Sequence, residues 1–356
     1  MKKNIDNLLG DIEAARNNLK TDRLDMSFGE IISMYERDEI IINPEFQRFY
    51  RWEDYQKTRF IESVILGIPV PPIFVAEDTN GRWELVDGLQ RLSTIMSFFG
   101  ILRTMPEKNN WLLEDGEIVK SLEGYSCEEL PMKIQLNIKR ATCRVEIIKW
   151  DSEYDMRFEL FNRLNTGGTP LTDQEIRNCI YRGVSSSFND FLKRIADNPK
   201  FINMIDASDK QVSELYLEEL ALRFISLHKN IKNVKLSMGQ HMTEFMRIAV
   251  SDKDFNYDKY ESIFNRTVDI LSPCGKSIFR SKNNAFATGF YDTIMIGVGE
   301  NLHLYGEVTP EKIKSKVMKE VKHDSVIRKI SRSGGNNSIQ RVRNRIKAAN
   351  RIFGTI

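Results

Sequence analysis

The sequence predicts an α+β fold, in which an N-terminal domain of strands and helices precedes a mostly α-helical C-terminal domain. Short runs rich in β-branched residues, such as 73–76 and 141–148, occur in the first half of the chain. Beyond about Gly183 the pattern is that of long amphipathic helices, with no convincing pair of strands. A length of 356 residues favours two domains, at about 150 residues each. We therefore predict an N-terminal extension at 1–24, a first domain at 25–185 and a helical domain at 186–356.

Composition and charge exclude several classes of protein. The chain is 41% hydrophobic and 29% charged, and no apolar run approaches the roughly 20 residues that span a bilayer. Its first residues lack the apolar core of a signal peptide, so we expect a cytoplasmic protein. A net charge of +2 is too small for a protein that coats nucleic acid, so any such contact must come from a local patch. The cysteines show no zinc-ligand spacing, and we expect buried, reduced thiols.

The first elements follow from apolar spacing and turn residues. Residues 1–23 are polar and are expected to form a loosely packed helix. Gly67 and the prolines at 69, 71 and 72 separate a helix from an extended run, and Asn80-Gly81 indicates a two-residue hairpin turn. The patterns predict, in order, a helix from Phe28, a β-run at Ile40–Ile42, a helix from about Asp54 to Leu66, strands at Ile73–Ala76 and Trp83–Val86, and a helix from Gly88 to about Phe99.

Further along the chain, residues 103–135 are predicted to be irregular, and an alternating strand follows at Ala141–Ile148. A helix is expected from about Tyr154 and ends at Gly167-Gly168. Thr172 and Glu175 have the spacing of a capping box, which predicts the start of another helix. The C-terminal domain shows longer helical patterns at Glu214–Leu227 and His241–Val250.

The segment Asp87-Gly88-Leu89-Gln90-Arg91 is the strongest candidate for a functional site, because it lies where a predicted strand passes into a helix. The first N–H groups of a helix lack backbone acceptors and carry a partial positive charge, so Arg91 beside them favours a phosphate site. Asp87 with Gln90 three residues later also fits a capping box, which needs no ligand. Capping does not explain Arg91, because the helix dipole opposes a cation in the first turn.

Two loops are candidates for the rest of such a site. The first contains Gln47, Arg48, Tyr50, Arg51 and Trp52. Its guanidinium groups would bind phosphates and a ring would stack on a base; alternatively, the rings pack inward beneath an ordinary surface patch. The second loop contains Asn165 and Gly167, which either end a helix or let the backbone approach a ligand closely.

The C-terminal tail is basic, with Asp324 as the single acid from residue 322 onward. Arg341, Arg343, Arg345 and Lys347 on its last predicted helix would contact DNA or RNA, or would form a solvated helix face. The sequence contains no Walker loop, dinucleotide-binding glycine motif or serine-nucleophile motif, and its four histidines share no metal-site spacing.

Taken together, four segments resemble the N-terminal domain of GmrSD-type restriction endonucleases, the DUF262 family. The resemblance covers roughly residues 25–185. The matching motifs are Pro44-x-Phe46-Gln47-Arg48-x-Tyr50-x-Trp52, Ser63-x-x-x-Gly67-x-Pro69-x-Pro71-Pro72, Asp87-Gly88-Leu89-Gln90-Arg91-Leu92-Ser93-Thr94 and Phe161-x-x-Leu164-Asn165-x-Gly167-x-x-x-Leu171-Thr172-x-x-Glu175.

The resemblance implies a ParB/sulfiredoxin-like fold and a module of bacterial anti-phage defence that binds, and in some members hydrolyses, a nucleotide. The family signature reads Asp-Gly-Gln-Gln-Arg; Asp87, Gln90 and Arg91 match it, whereas Leu89 replaces the first glutamine. Many relatives carry a C-terminal HNH nuclease. The histidines of this chain do not fall into that pattern, so we expect no nuclease here and a separate effector or nuclease as partner.

Our leading hypothesis is a nucleotide sensor or switch that uses Mg²⁺ with a nucleoside triphosphate. Arg91, Arg48 and the helix start at Gly88 would bind phosphates. Gln90 would orient a phosphate oxygen or an attacking water. Asp87 would bind Mg²⁺ or act as a base.

Within this hypothesis, either Tyr50 or Trp52 would stack on the base of the nucleotide. Two other functions also remain open. A rival hypothesis is a DNA-binding module without turnover, which uses the aromatic and basic loop together with the tail. A third is an interaction scaffold whose site has decayed along with the change to Leu89.

Overall fold

The computed structural model of this chain describes residues 5, 8–10, 12–13, 20–42, 50–78, 80–149, 160, 163, 171–182, 185–230, 237–332 and 338–356. Contacts group the chain into two units, Met1–Leu171 and Thr172–Ile356. Among the described residues, no helix is both long and apolar enough to cross a membrane.

A mixed five-stranded sheet organises the N-terminal unit. Its order is β1-β5-β3-β4-β2; the pairs β1–β5 and β3–β4 are antiparallel, and the pairs β3–β5 and β2–β4 are parallel. The strands are β1 (Thr21–Ser27), β2 (Ile40–Ile41), β3 (Ile73–Glu77), β4 (Trp83–Asp87) and β5 (Thr142–Ile148).

Helices cover this sheet and share its apolar core. Ser27 caps the first of them by accepting a hydrogen bond from the N–H of Glu30, and Glu53 forms a capping box with Gln56 at the second. The core includes Phe28, Ile61, Val75, Leu92 and Val145, all at most 1% exposed. The helices are α1 (Phe28–Glu36), α2 (Asp54–Ile65), α3 (Leu89–Phe98) and α4 (Met132–Arg140).

Three local predictions were wrong. Residues 21–23, predicted to be helical, begin β1, whose antiparallel pairing with β5 satisfies their backbone groups. Helix α4 begins inside the stretch predicted to be irregular. The hairpin between β3 and β4 has a five-residue connection rather than a two-residue turn, because Asp78 N–H bonds to Arg82 O at 2.8 Å and β3 ends at Glu77.

The C-terminal unit is helical in its described part, which confirms the predicted α+β class with a helical region after the first domain. Thr172 and Glu175 form the predicted capping box, since the N–H of each bonds to the side chain of the other, at 2.7 and 3.3 Å. The helices are α5 (Asp173–Arg182), α6 (Ser186–Ala196), α7 (Pro199–Ile205), α8 (Asp209–Ser213), α9 (Tyr216–Leu227), α10 (Met238–Ser251), α11 (Tyr257–Leu271), α12 (Thr288–Glu300), α13 (Leu302–Tyr305), α14 (Pro310–Lys316), α15 (Ser325–Arg332) and α16 (Ile339–Phe353).

Helix α12 lies at the centre of the helical unit, and every residue from 289 to 299 is buried. The last helix, α16, packs along it. A Cβ atom at Gly297 of α12 would clash with the ring of Phe353 of α16, so the glycine permits this close approach. The end of the chain is therefore part of the core of this unit.

The four cysteines are buried and form no disulfide, as predicted. Burial raises the pKa of Cys127 and that of Cys274 to about 11 in each case. Because the thiolate is the reactive form, these thiols are poor nucleophiles at neutral pH.

Candidate functional site

The turn from β4 into α3 places the Asp87–Arg91 segment at a helix start. β4 ends at Asp87, which pairs with Phe74 of β3, and α3 begins at Leu89 with Gly88 as its N-cap residue. The first hydrogen bond of α3 runs from the N–H of Leu92 to Gly88 O at 2.9 Å. Among the described residues, no side chain caps the start of this helix. The capping-box alternative for Asp87 and Gln90 is therefore not realised, and the N–H groups of the first turn lack backbone acceptors within the helix.

Gly88 is required here for two reasons. Its φ of +100° lies in the left-handed region, and a Cβ atom at this position would lie 2.5 Å from Ile73 Cγ2 and 3.2 Å from Arg91 Nη2. The glycine thus allows the strand to turn directly into the helix while the backbone stays close to β3.

We expect the substitution Gly88→Ala to lower the free energy of unfolding by about 1–3 kcal/mol, because it adds both backbone strain and a clash with Ile73. Gly67→Ala is the matched control, since Gly67 has a φ of +71° and no atom within 4 Å of an added Cβ. Urea unfolding followed by tryptophan fluorescence measures both variants, because all four tryptophans lie before residue 171. Equal losses in the two variants would contradict the role of the clash.

Arg91 is fixed at the helix start by two acceptors from neighbouring strands. Its Nη2 donates to Asp87 Oδ2 and to the backbone carbonyl of Pro72, at 3.0 Å each. The Arg91 side chain is only 18% exposed, and its buried Nε has no hydrogen-bond partner among the residues that the structure describes. A buried guanidinium donor without an acceptor is costly, so the Arg91 side chain is held here at the expense of one hydrogen bond. Asp87 balances a cation that the helix dipole alone would disfavour.

Gln90 connects the helix start to the loop before α2. Its Oε1 accepts hydrogen bonds from the backbone N–H groups of Arg51 and Trp52, at 3.1 Å each. The structure therefore brings together two segments that the sequence analysis treated as candidates for one site. In this arrangement the carbonyl oxygen of Gln90 positions the loop, which differs from the role in orienting a phosphate oxygen or water that we predicted for it.

The two candidate stacking rings lie in different environments. Tyr50 is 2% exposed and its hydroxyl hydrogen-bonds with Ser97 Oγ at 3.0 Å, so its ring is not available for stacking on a base. Trp52 is half-buried and packs edge-on against Phe60, with 5.6 Å between the ring centroids. Of the two alternatives, Trp52 is the less buried residue.

Two lysines near Tyr50 were not identified from the sequence. Lys108 Nζ donates to Tyr50 O at 2.8 Å and lies 4.9 Å from the centre of the ring. Lys57 Nζ lies 5.8 Å from the same ring and pairs with Asp54. Lys108 falls in a stretch that carries no periodic pattern, so spacing alone could not have placed it here. Both lysines add positive charge behind the loop at residues 50–52.

Leu89 and Asp87 bear on hydrolysis and on metal binding. Leu89 is partly buried and packs against the hydrophobic core of the sheet.

Asp87 is 43% exposed, and only its Oδ2 has a partner among the described residues. The described residues contain no group of three or more His, Cys, Asp or Glu side chains that could hold a metal. One free carboxylate oxygen still fits Mg²⁺, which is commonly bound by one or two carboxylates together with substrate phosphates and water.

Four predicted site residues, namely Gln47, Arg48, Asn165 and Gly167, lie outside the described residues.

The basic residues of the tail differ in accessibility. Arg345 is fully buried, and its Nη2 pairs with Asp292 Oδ2 at 3.1 Å. Arg345 therefore offers no surface to a DNA duplex. Arg341 and Arg343 are half-buried, and Lys347 is exposed.

Comparison with protein families identifies the domain that carries this site. Residues 28–182 match the model of the GmrSD restriction endonuclease, N-terminal domain. This part of the chain is therefore a domain of that family, in agreement with the resemblance seen in the sequence motifs. The match includes β2 to β5, the Asp87–Arg91 segment and α5. No curated protein matches the chain.

Proposed function

From this family assignment we propose that the chain binds a nucleoside triphosphate at the start of α3 and acts as a nucleotide sensor in a restriction-type defence system. The observation that carries the proposal is the position of Arg91. Its guanidinium is held at the start of α3 by Asp87 and the carbonyl of Pro72, and its side chain keeps 18% of its surface exposed. Charge, donors and geometry there all favour an anion with several oxygen atoms.

The remaining parts of a nucleotide site are supplied by neighbouring residues. Asp87 would hold Mg²⁺ through Oδ1, and the ion would neutralise charge on the phosphates. Trp52 would stack on the base, since it is only partly buried. Gln90 would act as a positioning residue, because it fixes the backbone of Arg51 and Trp52 relative to α3. Binding at Arg91 would thus be coupled to the loop before α2.

Hydrolysis is a separate question from binding, and Leu89 bears on it directly. The family motif has glutamine at this position, and an amide could orient a water that leucine cannot. We propose that the native chain binds its nucleotide with little or no turnover. The scaffold hypothesis differs because it requires no nucleotide binding at all.

A thermal-shift panel of nucleoside triphosphates with Mg²⁺ tests the binding proposal. A ligand at 100 times its dissociation constant adds about 2.7 kcal/mol to the stability of the folded state, so at least one nucleotide should raise the unfolding temperature clearly. Phosphate release is measured in parallel for the native chain and for Leu89→Gln, which we expect to gain turnover. No stabilisation by any nucleotide would contradict the proposal.

Duplex DNA is the alternative ligand. Binding of DNA by the tail is tested with point substitutions rather than by deleting the tail. Deleting the tail would remove core residues such as Val342, Ile346 and Phe353 and would unfold the helical unit. Lys347→Glu instead reverses an exposed charge without touching the core. Salt-dependent DNA binding that this variant weakens, in a protein that no nucleotide stabilises, would favour the DNA-binding rival.

A further inference from the structure

Strand β1 forms an open edge of the sheet in the N-terminal unit. It pairs with β5 on one side, and among the described residues no strand pairs with its other side. Residues 21–25 are all exposed, so this edge is accessible to another molecule. An open edge presents backbone N–H and C=O groups to which a further strand can be added.

The hydrogen bonds to β5 identify the backbone groups of β1 that point away from the sheet. Lys149 N–H donates to Lys20 O at 2.9 Å, and Phe28 N–H donates to Ala141 O at 3.0 Å. Because the direction of the backbone groups alternates along an antiparallel strand, the even-numbered residues of β1 bond to β5. The odd-numbered residues from 21 to 27 therefore direct their N–H and C=O groups to the open side.

The charged side chains of β1 form two rows with those of β5, and the rows have opposite polarity. In one row Glu146 of β5 lies 3.7 Å from Arg23 at the edge. In the other row Arg144 of β5 donates from Nε to Asp25 at the edge, at 2.9 Å. An edge that carries a cation and an anion two residues apart is complementary to the same edge turned around.

We propose that β1 pairs antiparallel with β1 of a second copy of the chain, about a two-fold axis between the two Leu24 residues. Outward-directed residues must face one another, so three registers overlap five or more residues of β1, with Arg23, Leu24 or Asp25 opposite its own copy. The registers centred on Arg23 and on Asp25 bring like charges together. Centring on Leu24 places Arg23 opposite Asp25 of the second copy. Each row of charges then alternates in sign across four strands: Glu146 and Arg23 of one copy, then Asp25 and Arg144 of the other.

The exposure of Leu24 agrees with this register. Leu24 lies on the same side of the sheet as the core and opposite the buried Val145, yet it is 44% exposed. In the proposed dimer the two Leu24 side chains face each other in a non-hydrogen-bonded pair, where side chains approach most closely, and each covers part of the other. Charges on an edge strand commonly discourage pairing. Here their order favours a copy of the same strand over an unrelated extended peptide.

The dimer is expected to be weak and to depend on protein concentration. It joins only one short strand of each copy, and it exchanges an existing contact for a new one. In the single chain the N–H of Arg23 donates to Asp22 Oδ1 at 2.8 Å. In the dimer this N–H would donate to the backbone carbonyl of Asp25 of the second copy.

Sedimentation velocity of the full chain over a range of concentrations tests the proposal. The native protein should pass from monomer to dimer. Leu24→Asp places two carboxylates opposite each other at the axis and should raise the dissociation constant at least about tenfold. Leu112→Asp is the matched control, because Leu112 is 54% exposed and lies outside the sheet, and this variant should dimerise as the native chain does. Unfolding temperatures near that of the native chain show that both variants are folded.

Cysteine cross-linking tests the register independently. The Cα atoms of the two residues 24 would lie about 4.5 Å apart, within the range that a disulfide spans. The two residues 21 would lie about 20 Å apart along the strands, because each faces residue 27 of the other copy. Oxidation with diamide should therefore link Leu24→Cys into a dimer and leave Thr21→Cys unlinked. The four native cysteines are buried and should not interfere.

Each experiment has an outcome that contradicts the proposal. If Thr21→Cys links as readily as Leu24→Cys, β1 does not pair about Leu24. A native chain that stays monomeric at every concentration, or a dimer that Leu24→Asp leaves unchanged, would overturn the proposal as a whole.

Discussion

Replacing Asp292 with asparagine is expected to lower the free energy of unfolding of the helical unit by about 3–5 kcal/mol. Asp292 is 1% exposed and serves two buried arginines. It accepts a hydrogen bond from Arg223 Nη2 at 2.8 Å and pairs with Arg345 Nη2 at 3.1 Å. Asparagine has nearly the same shape but no charge, so both guanidinium groups would stay buried and lose the attraction of Asp292. A loss of this size is a large part of the stability of a typical domain, about 5–15 kcal/mol.

The direction of the shift in the pKa of Arg345 agrees with the expected loss of stability. Burial lowers the pKa of Arg345 from its usual value, and the attraction of Asp292 opposes that shift. Without Asp292 this attraction is lost, while the unfavourable effect of burial on the charged Arg345 remains. The measurement is urea unfolding followed by circular dichroism at a helical wavelength, since the helical unit contributes many of the helices of the chain.

Two comparisons make the Asp292 prediction specific. Glu261→Gln removes the same charge from a partly exposed pair with Arg194 in the same unit. It should lower the free energy of unfolding by less than about 1 kcal/mol. Replacing Arg223, Asp292 and Arg345 together with apolar residues of similar size should cost less than Asp292→Asn alone, because no buried charge is then left unpaired. If Asp292→Asn is no more harmful than Glu261→Gln, the buried cluster does not stabilise this unit as argued.

The cluster also shows why a basic run in a sequence is an ambiguous signal. The spacing of α16 gives apolar residues on one face and cations on the others, which predicts a solvated or nucleic-acid-binding surface. Arg345 contradicts that expectation only because Asp292, more than fifty residues earlier in the chain, lies opposite it. Pairing between distant residues leaves no local pattern, so the sequence alone could not have identified Arg345 as a core residue.

Local signals, in contrast, predicted much of the sheet and its helices. The prolines before β3, Gly67 after α2 and the capping box at Thr172 act over a few residues, and each was placed correctly. β1 was missed because it is an exposed edge strand, in which even Leu24 is 44% exposed. Its strand conformation depends on pairing with β5, which lies more than a hundred residues away.

The helix start at the candidate site was predictable from the sequence, but the contacts of its side chains were not. The motif at residues 87–91 correctly indicated a helix start. A capping box was the alternative for Asp87 and Gln90, but the left-handed Gly88 takes the cap position, and both side chains make other contacts. Tyr50 was predicted as a stacking residue on the strength of its aromatic and basic neighbours. Its burial depends on the hydroxyls of Thr94 and Ser97, which no short-range pattern reveals.

Arg91→Lys is expected to abolish most of the stabilisation that a nucleoside triphosphate with Mg²⁺ gives, corresponding to at least about a tenfold loss of affinity. Lysine keeps the positive charge, but its one nitrogen would take the place of Nη2 beside Asp87 and Pro72, and no second nitrogen would remain to donate to a phosphate as a planar guanidinium does. Arg82→Lys is the matched control. Arg82 also pairs with an aspartate four residues away, Asp78, but on the exposed hairpin between β3 and β4. Thermal shifts of both variants, each measured with and without nucleotide, separate lost binding from lost stability. Equal nucleotide responses in Arg91→Lys, Arg82→Lys and the native chain would exclude Arg91 from the site and with it the proposed function.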